Sequence, residues 1–151
     1  MDRALVVVDS TESHESLLRE AADCTSGTPA SLLLVSFISE ESFHQDQETL
    51  QQIASAESTS YGADAPIEAA RGVAEAAGRD ALGADAEFET MGAVADDDEQ
   101  ADRIVAIAAE EGCDHVFLTG RRRSPTGKAL FGDRAQKVLL NFDGYVTVAM
   151  E

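Results

Sequence analysis

The sequence predicts an α/β fold in which five parallel strands form a single open sheet, in the order 3-2-1-4-5, with helices on both faces. Short apolar runs alternate along the chain with longer segments of helical periodicity, and this alternation is typical of parallel strands joined by crossover helices. The first two runs are rich in Val and Leu, as strands buried on both faces are. For a chain of 151 residues we expect one domain, covering 1–151.

Five segments have the composition of strands. The first two, 3–9 ("RALVVVD") and 31–37 ("SLLLVSF"), are near-continuous apolar runs. The third, 85–91 ("DAEFETM"), alternates polar and apolar residues and suits a strand near an edge of the sheet. The fourth and fifth strands are predicted over 114–120 and 145–150.

Four segments have the apolar spacing of amphipathic helices. These helices are predicted over residues 11–24, 66–83, 99–112 and 131–142. In the third, Ile104, Ile107 and Ala108 recur at i, i+3 and i+4, and Gly112 follows as a C-cap. The polar segment 38–65 has no clear periodicity, and its pattern fits either a short helix with loops or a mobile lid.

The charge of the chain is strongly negative. Asp and Glu number 29 against 11 Lys and Arg, which gives a formal net charge of -18, and the lysines are Lys128 and Lys137. An acidic, lysine-poor surface resembles that of proteins from cells that hold molar salt, where a Debye length of about 3 Å screens self-repulsion. The alternative is an acidic protein of another origin. Either surface repels nucleic acids and anionic membranes, so we expect neither as a partner.

The sequence lacks the signals of a membrane or metal protein. No run of about 18 apolar residues is present, and the first residues, "MDRALVVVDS", are too short an apolar stretch for a secretory signal, so we expect a cytoplasmic protein. Cys24 and Cys113 form no CxxC pair and the three histidines are scattered, so no metal-ligand spacing occurs. Both cysteines are predicted to be small buried side chains.

Three residues fall where ligands bind in folds of this class. In open α/β sheets the ligand lies beyond the carboxyl ends of the strands, at the point where the strand order reverses. Asp9 ends the first predicted strand, Phe37 the second and Gly120 the fourth. Their convergence predicts a binding site, although a helix cap at Asp9 and a core position for Phe37 are the simpler alternatives.

A glycine-rich basic loop follows the fourth strand. Residues 119–135 read "TGRRRSPTGKALFGDRA", and six of the eleven basic residues lie between 121 and 137: Arg121, Arg122, Arg123, Lys128, Arg134 and Lys137. Gly120, Gly127 and Gly132 allow close backbone approach and positive φ, and a helix that begins near Leu130 would direct free N–H groups at the loop. The combination predicts an anion site. The alternative is a solvated patch that pairs with nearby acids.

The sequence matches neither of two common nucleotide-binding motifs. A Walker A sequence needs four residues between its glycines, but six separate Gly120 from Gly127, and Ala129 replaces the magnesium-binding hydroxyl. The dinucleotide fingerprint G-x-G-x-x-G is absent after the first strand. No general base or catalytic histidine lies near the loop in sequence. A slow ATPase is therefore the least favoured of the functions that this sequence allows.

The chain as a whole resembles the universal stress protein family. "ALVVVDSTESHESLLREA" is similar to that family's first strand and helix, "LLLVSFI" to its second strand, and "IVAIAAEEGCDHVFLTGRRR" to its fourth helix and strand. The resemblance implies a Rossmann-like fold of the adenine-nucleotide α-hydrolase type. It also implies a homodimer that forms through the C-terminal strand, Tyr145 to Met150.

The resemblance also implies a nucleotide site with a degenerate loop. Family members that bind ATP carry G-x2-G-x9-G-[ST]. Gly120 and Gly132 fit the outer glycines, but Arg123 stands at the second glycine, the loop is one residue short, and Asp133 stands at the Ser or Thr position. By the same resemblance Asp9 lies beside the nucleotide, the backbone of Phe37 meets adenine, and Gly92 follows the third strand near the ribose. The ligand implied is ATP, ADP or AMP. An interaction module of the same fold that binds no nucleotide is the alternative.

Overall fold

The structure of the chain, a computed structural model, describes residues 1–9, 14–45, 65–121 and 132–150. Its strands are β1 (Arg3–Val8), β2 (Ser31–Ile38), β3 (Glu89–Val94), β4 (His115–Gly120) and β5 (Tyr145–Met150). They pair in parallel in the order β3-β2-β1-β4-β5, which confirms the predicted fold class. The helices are α1 (His14–Thr25), α2 (Ala65–Leu82), α3 (Gln100–Glu110) and α4 (Asp133–Asn141), and residues 40–45 are also helical.

Both faces of the sheet carry a buried core, because alternate residues of a strand point to opposite faces. The core beneath α3 and α4 includes Leu5, Val7, Leu33, Val35, Ile104, Ile107 and Val138. The core beneath α1 and α2 includes Val6, Leu34, Phe117, Leu17, Leu18 and Ala74. Full burial of one such side chain contributes about 1.5–3 kcal/mol, so the central strands hold their carboxyl ends in fixed positions.

The third strand begins later than its alternating pattern predicts. Residues 85–88 of the predicted strand form part of the connection from α2, and β3 starts at Glu89. The guanidinium of Arg79 donates to the carbonyl oxygens of Ala84 and Ala86, at 3.1 and 2.6 Å, and lies 4.5 Å above the ring of Phe88. These carbonyl groups therefore bond to a side chain of α2 instead of a neighbouring strand.

The helices agree with the prediction to within a few residues at each end. Gly112 has φ of 70°, and the N–H of Cys113 donates to the carbonyl of Ala108 at 2.8 Å, which confirms the glycine C-cap after α3. Residues 11–13 and 131, which the prediction placed in helices, lie outside the described residues. Among the residues described, none of the helices is long and apolar enough to cross a bilayer.

The two cysteines differ in environment. Cys113 is buried, as predicted, but Cys24 is exposed, so that prediction was wrong for Cys24. The buried stripe of α1 consists of Leu17, Leu18, Ala21 and Thr25. Cys24 lies beside this stripe, with its sulfur 3.8 Å from a carboxylate oxygen of Glu20.

The amino ends of β1 and β4 are held together by one carboxylate. Asp114 accepts hydrogen bonds from the backbone N–H of Asp2, at 3.0 and 3.1 Å, and of Arg3, at 3.3 Å. The guanidinium of Arg3 in turn bonds to Glu89 at the start of β3, at 2.6 Å. This edge of the sheet is therefore fixed by charge-assisted bonds, and it lies opposite the carboxyl edge where a ligand is expected.

Candidate functional site

The topological switch point lies between β1 and β4. The chain passes from β1 to β2 on one side and from β4 to β5 on the other, so the connections diverge at the carboxyl ends of β1 and β4. Asp9 follows β1 directly, and Thr119 and Gly120 end β4. The first turn of α4 meets them there through Arg134.

Asp9 and Arg134 form a bidentate ion pair at this point. Arg134 Nη1 lies 2.9 Å from Asp9 Oδ1, and Arg134 Nη2 lies 2.6 Å from Asp9 Oδ2. The two side chains are 20% and 19% exposed respectively. A pair with two parallel N–H···O bonds and limited solvent contact has a defined geometry and is screened less than a surface pair.

Two polar side chains complete the arrangement. The hydroxyl of buried Thr119 donates to Asp9 Oδ2 at 2.9 Å and accepts from Arg134 Nη2 at 3.3 Å. The side-chain oxygen of Gln100, the first residue of α3, accepts from Arg134 Nη1 at 2.9 Å. We call Asp9, Gln100, Thr119 and Arg134 the switch-point cluster. It joins β1, α3, β4 and α4 through hydrogen bonds.

The start of α4 has the backbone conformation that the sequence predicts for a glycine. Gly132, the N-cap residue, has φ of 83° and ψ of 157°, and a Cβ built there would lie 3.5 Å from the backbone nitrogen of Arg121. Any side chain at this φ is strained. Gly132 therefore brings the N-terminus of α4 against the end of β4, where the first N–H groups of the helix and the helix dipole favour an anion.

Asp133 is the first residue of α4 and is exposed. An acid in the first turn of a helix is stabilised by the helix dipole. This provides a structural reason for the carboxylate that does not involve a ligand. Of the remaining loop residues, Arg121 is exposed, and the predicted contributions of Arg122, Arg123, Gly127 and Lys128 lie outside the described residues.

Phe37 lies close to its predicted position at the end of β2, whereas Gly92 lies elsewhere than predicted. Phe37 is the penultimate residue of β2, pairs with Ala93, and packs partly buried against the core beneath α3 and α4. Gly92 does not follow the third strand but lies inside it, opposite Ser36. A Cβ at Gly92 would lie 2.2 Å from the carbonyl oxygen of Ile67, so the first turn of α2 packs directly on this glycine.

An acidic cluster lies farther along the same edge. Glu40 follows β2, while Asp96 and Glu99 lie between β3 and α3, and the three can each place a carboxylate oxygen within 4.8 Å of the others. Asp96 Oδ1 also accepts from the backbone N–H of Glu40 at 3.0 Å. Partial desolvation and then the charges of Glu40 and Asp96 raise the pKa of Glu99. Glu40 lies in the segment 38–65, in which the sequence shows no clear periodicity.

Sequence reasoning identified one half of the ion pair and missed the other. Asp9 was predicted from its position after the first strand, whereas Arg134 was counted only among the basic residues near the loop. Arg134 could have been predicted from the topology, because the helix after β4 begins beside the end of β1 in this strand order. Gln100 and Thr119 had no signal of their own beyond their positions at an element end.

Comparison with known proteins agrees with this fold. The model of the universal stress protein family matches residues 1–149. A universal stress protein from Archaeoglobus fulgidus is 23% identical, with 98% of each chain covered and a TM-score of 0.58. A universal stress protein solved in complex with cAMP is 16% identical, with 99% of this chain and 96% of that chain covered and a TM-score of 0.56.

A third structure, of the universal stress protein from Archaeoglobus fulgidus in complex with dAMP, is 17% identical, with 98% of this chain and 97% of that chain covered and a TM-score of 0.52. No curated protein matches the chain. The family match extends from the first strand into the last. The chain belongs to the universal stress protein family.

Proposed function

We propose that this protein is a stress-response protein that binds a nucleotide or a related anion at the switch-point cluster and acts as a homodimer. The observation that carries the proposal is the meeting of Asp9 with the N-terminus of α4 at the carboxyl edge of the sheet. Relatives of the same fold were solved with cAMP and with dAMP. Both ligands combine a phosphate with an adenine nucleoside.

The local chemistry supports the two parts of such a ligand. Phosphate suits the N-terminus of α4, where Gly132 allows close approach of the backbone. The carboxylate of Asp9 is an acceptor for hydroxyl or amino groups of a nucleoside. The proposed site also includes the predicted residues Gly120, Arg121 and the basic loop up to Gly132, with Phe37 and Gly92 at the neighbouring strands.

The phosphate part of the site is degenerate in our proposal. Where family members that bind ATP are expected to have a hydroxyl, Asp133 supplies a carboxylate. One like charge about 4 Å from a phosphate costs about 1 kcal/mol at the dielectric constant of water and about 4 kcal/mol at an effective dielectric of 20. We therefore expect weak binding of ATP.

The homodimer is proposed from the free edge of the sheet. Among the described strands β5 pairs with β4 on one side only, and Tyr145 at its start is 72% exposed. A strand with unpaired N–H and C=O groups is a template for pairing with a second chain. We propose that residues 145–150 pair with the same strand of a second copy.

A second candidate function is an interaction module that binds no nucleotide. The observation that favours it is that the carboxylate of Asp9 already accepts three hydrogen bonds, from Arg134 and Thr119. The carboxylate of Asp133 acts in the same direction. Both features reduce the number of groups that a nucleotide would find available.

Thermal unfolding in about 2 M KCl with ATP, ADP and AMP tests the proposed function. A ligand at 100 times its Kd adds about 2.7 kcal/mol to the free energy of unfolding. Tripolyphosphate is the matched control, because it carries the phosphate charge without the nucleoside. A shift with the nucleotides alone supports a nucleotide site, and a shift with all of them supports an anion site. If no ligand shifts the melting temperature and titration calorimetry detects no heat of binding, the interaction module replaces this proposal.

A further inference from the structure

We propose that Arg134 determines the specificity of the site for nucleotides over nucleosides. As the counter-ion of Asp9 it prevents uncharged nucleosides from binding to this carboxylate, and it releases Asp9 when it can bind the phosphate of a nucleotide. The inference rests on the proposed function, since it concerns the same site. It adds a discrimination between nucleotides and uncharged nucleosides, and assigns that discrimination to one side chain outside the glycine loop.

The first step is the hydrogen bonding of Asp9. A carboxylate offers about four lone-pair positions, and three hydrogen bonds from Arg134 and Thr119 already use most of them. A nucleoside hydroxyl or amino group that needs Asp9 must displace the guanidinium. Arg134 carries a full positive charge and donates two parallel hydrogen bonds to the carboxylate, whereas a nucleoside hydroxyl or amino group is uncharged, so it is a poor substitute for Arg134.

The second step is the position of Arg134 relative to a phosphate. Arg134 is the second residue of α4, so its side chain starts from the helix N-terminus at which a phosphate would bind. The pair is about one-fifth exposed, so it is in contact with solvent on part of its surface. A guanidinium can exchange a carboxylate for a phosphate partner and keep bidentate geometry.

Together the two steps make the site select nucleotides over nucleosides. With a nucleotide, Arg134 loses Asp9 and gains the phosphate, and Asp9 becomes available to the nucleoside. With a nucleoside, Arg134 loses Asp9 and gains nothing. The structural alternative is a static clamp that only joins β1, β4, α3 and α4. Removal of a clamp would lower stability and alter the binding of nucleosides and nucleotides by the same factor.

Titration calorimetry with adenosine and AMP, in one high-salt buffer, distinguishes a specificity determinant from a static clamp at Arg134. The variants are Arg134→Gln, which removes the charge, and Arg134→Lys, which keeps the charge but loses the two-pronged contact with Asp9. Arg19→Gln is the matched control. It removes the same charge and breaks an ion pair with Glu15, but lies on α1, against the opposite face of the sheet. Thermal unfolding establishes that each variant is folded at the titration temperature.

We expect Arg134→Gln to bind adenosine about tenfold more tightly than the unmodified protein, and AMP no more tightly, so that the preference for AMP over adenosine falls by about tenfold or more. Arg134→Lys should gain affinity for adenosine and keep its affinity for AMP, and Arg19→Gln should change neither. If AMP binds but its preference over adenosine is the same in all four proteins, the inference is wrong and the proposed function stands. If AMP binds none of the four proteins and no ligand shifts the melting temperature of the unmodified protein, both the inference and the proposed function fail.

Discussion

Replacement of Gly92 by alanine tests whether this glycine serves packing inside β3. The added methyl group would lie 2.2 Å from the carbonyl oxygen of Ile67 and 2.7 Å from the backbone nitrogen of Arg71. Both are backbone atoms of α2, so the clash cannot be relieved by rotation of a flexible side chain. Overpacking of a core costs typically 1–3 kcal/mol. Because a whole helix must shift here, we expect a loss of about 3 kcal/mol in the free energy of unfolding.

The assay is thermal unfolding in high salt, with Gly72→Ala as the matched control. For a domain of this size about 1 kcal/mol corresponds to roughly 2–4 °C, so Gly92→Ala should lower the melting temperature by roughly 6–12 °C. A Cβ at Gly72 meets no atom within 4 Å in the middle of α2. That replacement should raise stability by about 0.5–1 kcal/mol through helix propensity. Equal melting temperatures for the Gly92 variant and the unmodified protein would refute the packing argument.

Four further predictions follow from charge and from the free edge. Asp133→Ser should tighten ATP binding by roughly fivefold or more in titration calorimetry, because it removes a like charge and adds a hydrogen-bond donor. If the unmodified protein and the serine variant bind ATP with the same low-micromolar Kd, Asp133 does not face the phosphates. The melting temperature should rise between about 0.1 and 2 M KCl as self-repulsion is screened, and a flat profile would contradict a halophilic origin. Sedimentation at micromolar concentration should show a dimer, whereas a single species of the 16.0 kDa chain would exclude pairing through residues 145–150. Partial burial raises the pKa of Asp114, but hydrogen bonds from Asp2 and Arg3 outweigh it and the net pKa is lowered. The stability that Asp114 contributes is therefore present above its unfolded pKa of about 3.9 and lost as pH falls through the folded pKa. Asp114→Asn should destabilise the protein at pH 7 and make little difference in acid, and an equal loss at both would contradict the argument.

The sheet could be predicted because its strands differ in composition from everything around them. β1 and β2 are buried on both faces, and only a continuous apolar run satisfies that environment. β3 was placed about four residues early, because "DAEF" also alternates in polarity. The guanidinium of Arg79 instead binds the carbonyl oxygens of Ala84 and Ala86, and the strand begins only at Glu89. A contact of that kind leaves no trace in periodicity.

The candidate site could be predicted in position but not in its contacts. Strand order alone brings Asp9, Gly120 and Gly132 to one edge, and the positive φ of Gly132 agrees with the role expected of a loop glycine. Asp9 and Arg134 are separated by 125 residues. A pair so distant in sequence follows from the packing of α4 against the sheet, which a local pattern does not specify. The same holds for Glu40 and Asp96, which are 56 residues apart.

The ion pairs differ in exposure, and the degree to which salt screens them differs accordingly. In the pairs of Arg19 with Glu15, Arg71 with Glu68 and Arg79 with Glu75, every partner is more than one-third exposed. Exposed pairs of this kind contribute little to stability, and a Debye length of about 3 Å at 1 M salt reduces that contribution further.

The side chains of Asp9 and Arg134 are only about one-fifth exposed, and two hydrogen bonds fix their relative orientation. Their interaction is screened less than that of the surface pairs and therefore persists in molar salt. In about 1 M salt, a phosphate that bound at the N-terminus of α4 would compete with abundant salt anions for one guanidinium. We therefore expect the preference for AMP over adenosine to be smaller in about 2 M KCl than in dilute buffer, and an equal preference in both would contradict a contribution of the phosphate charge.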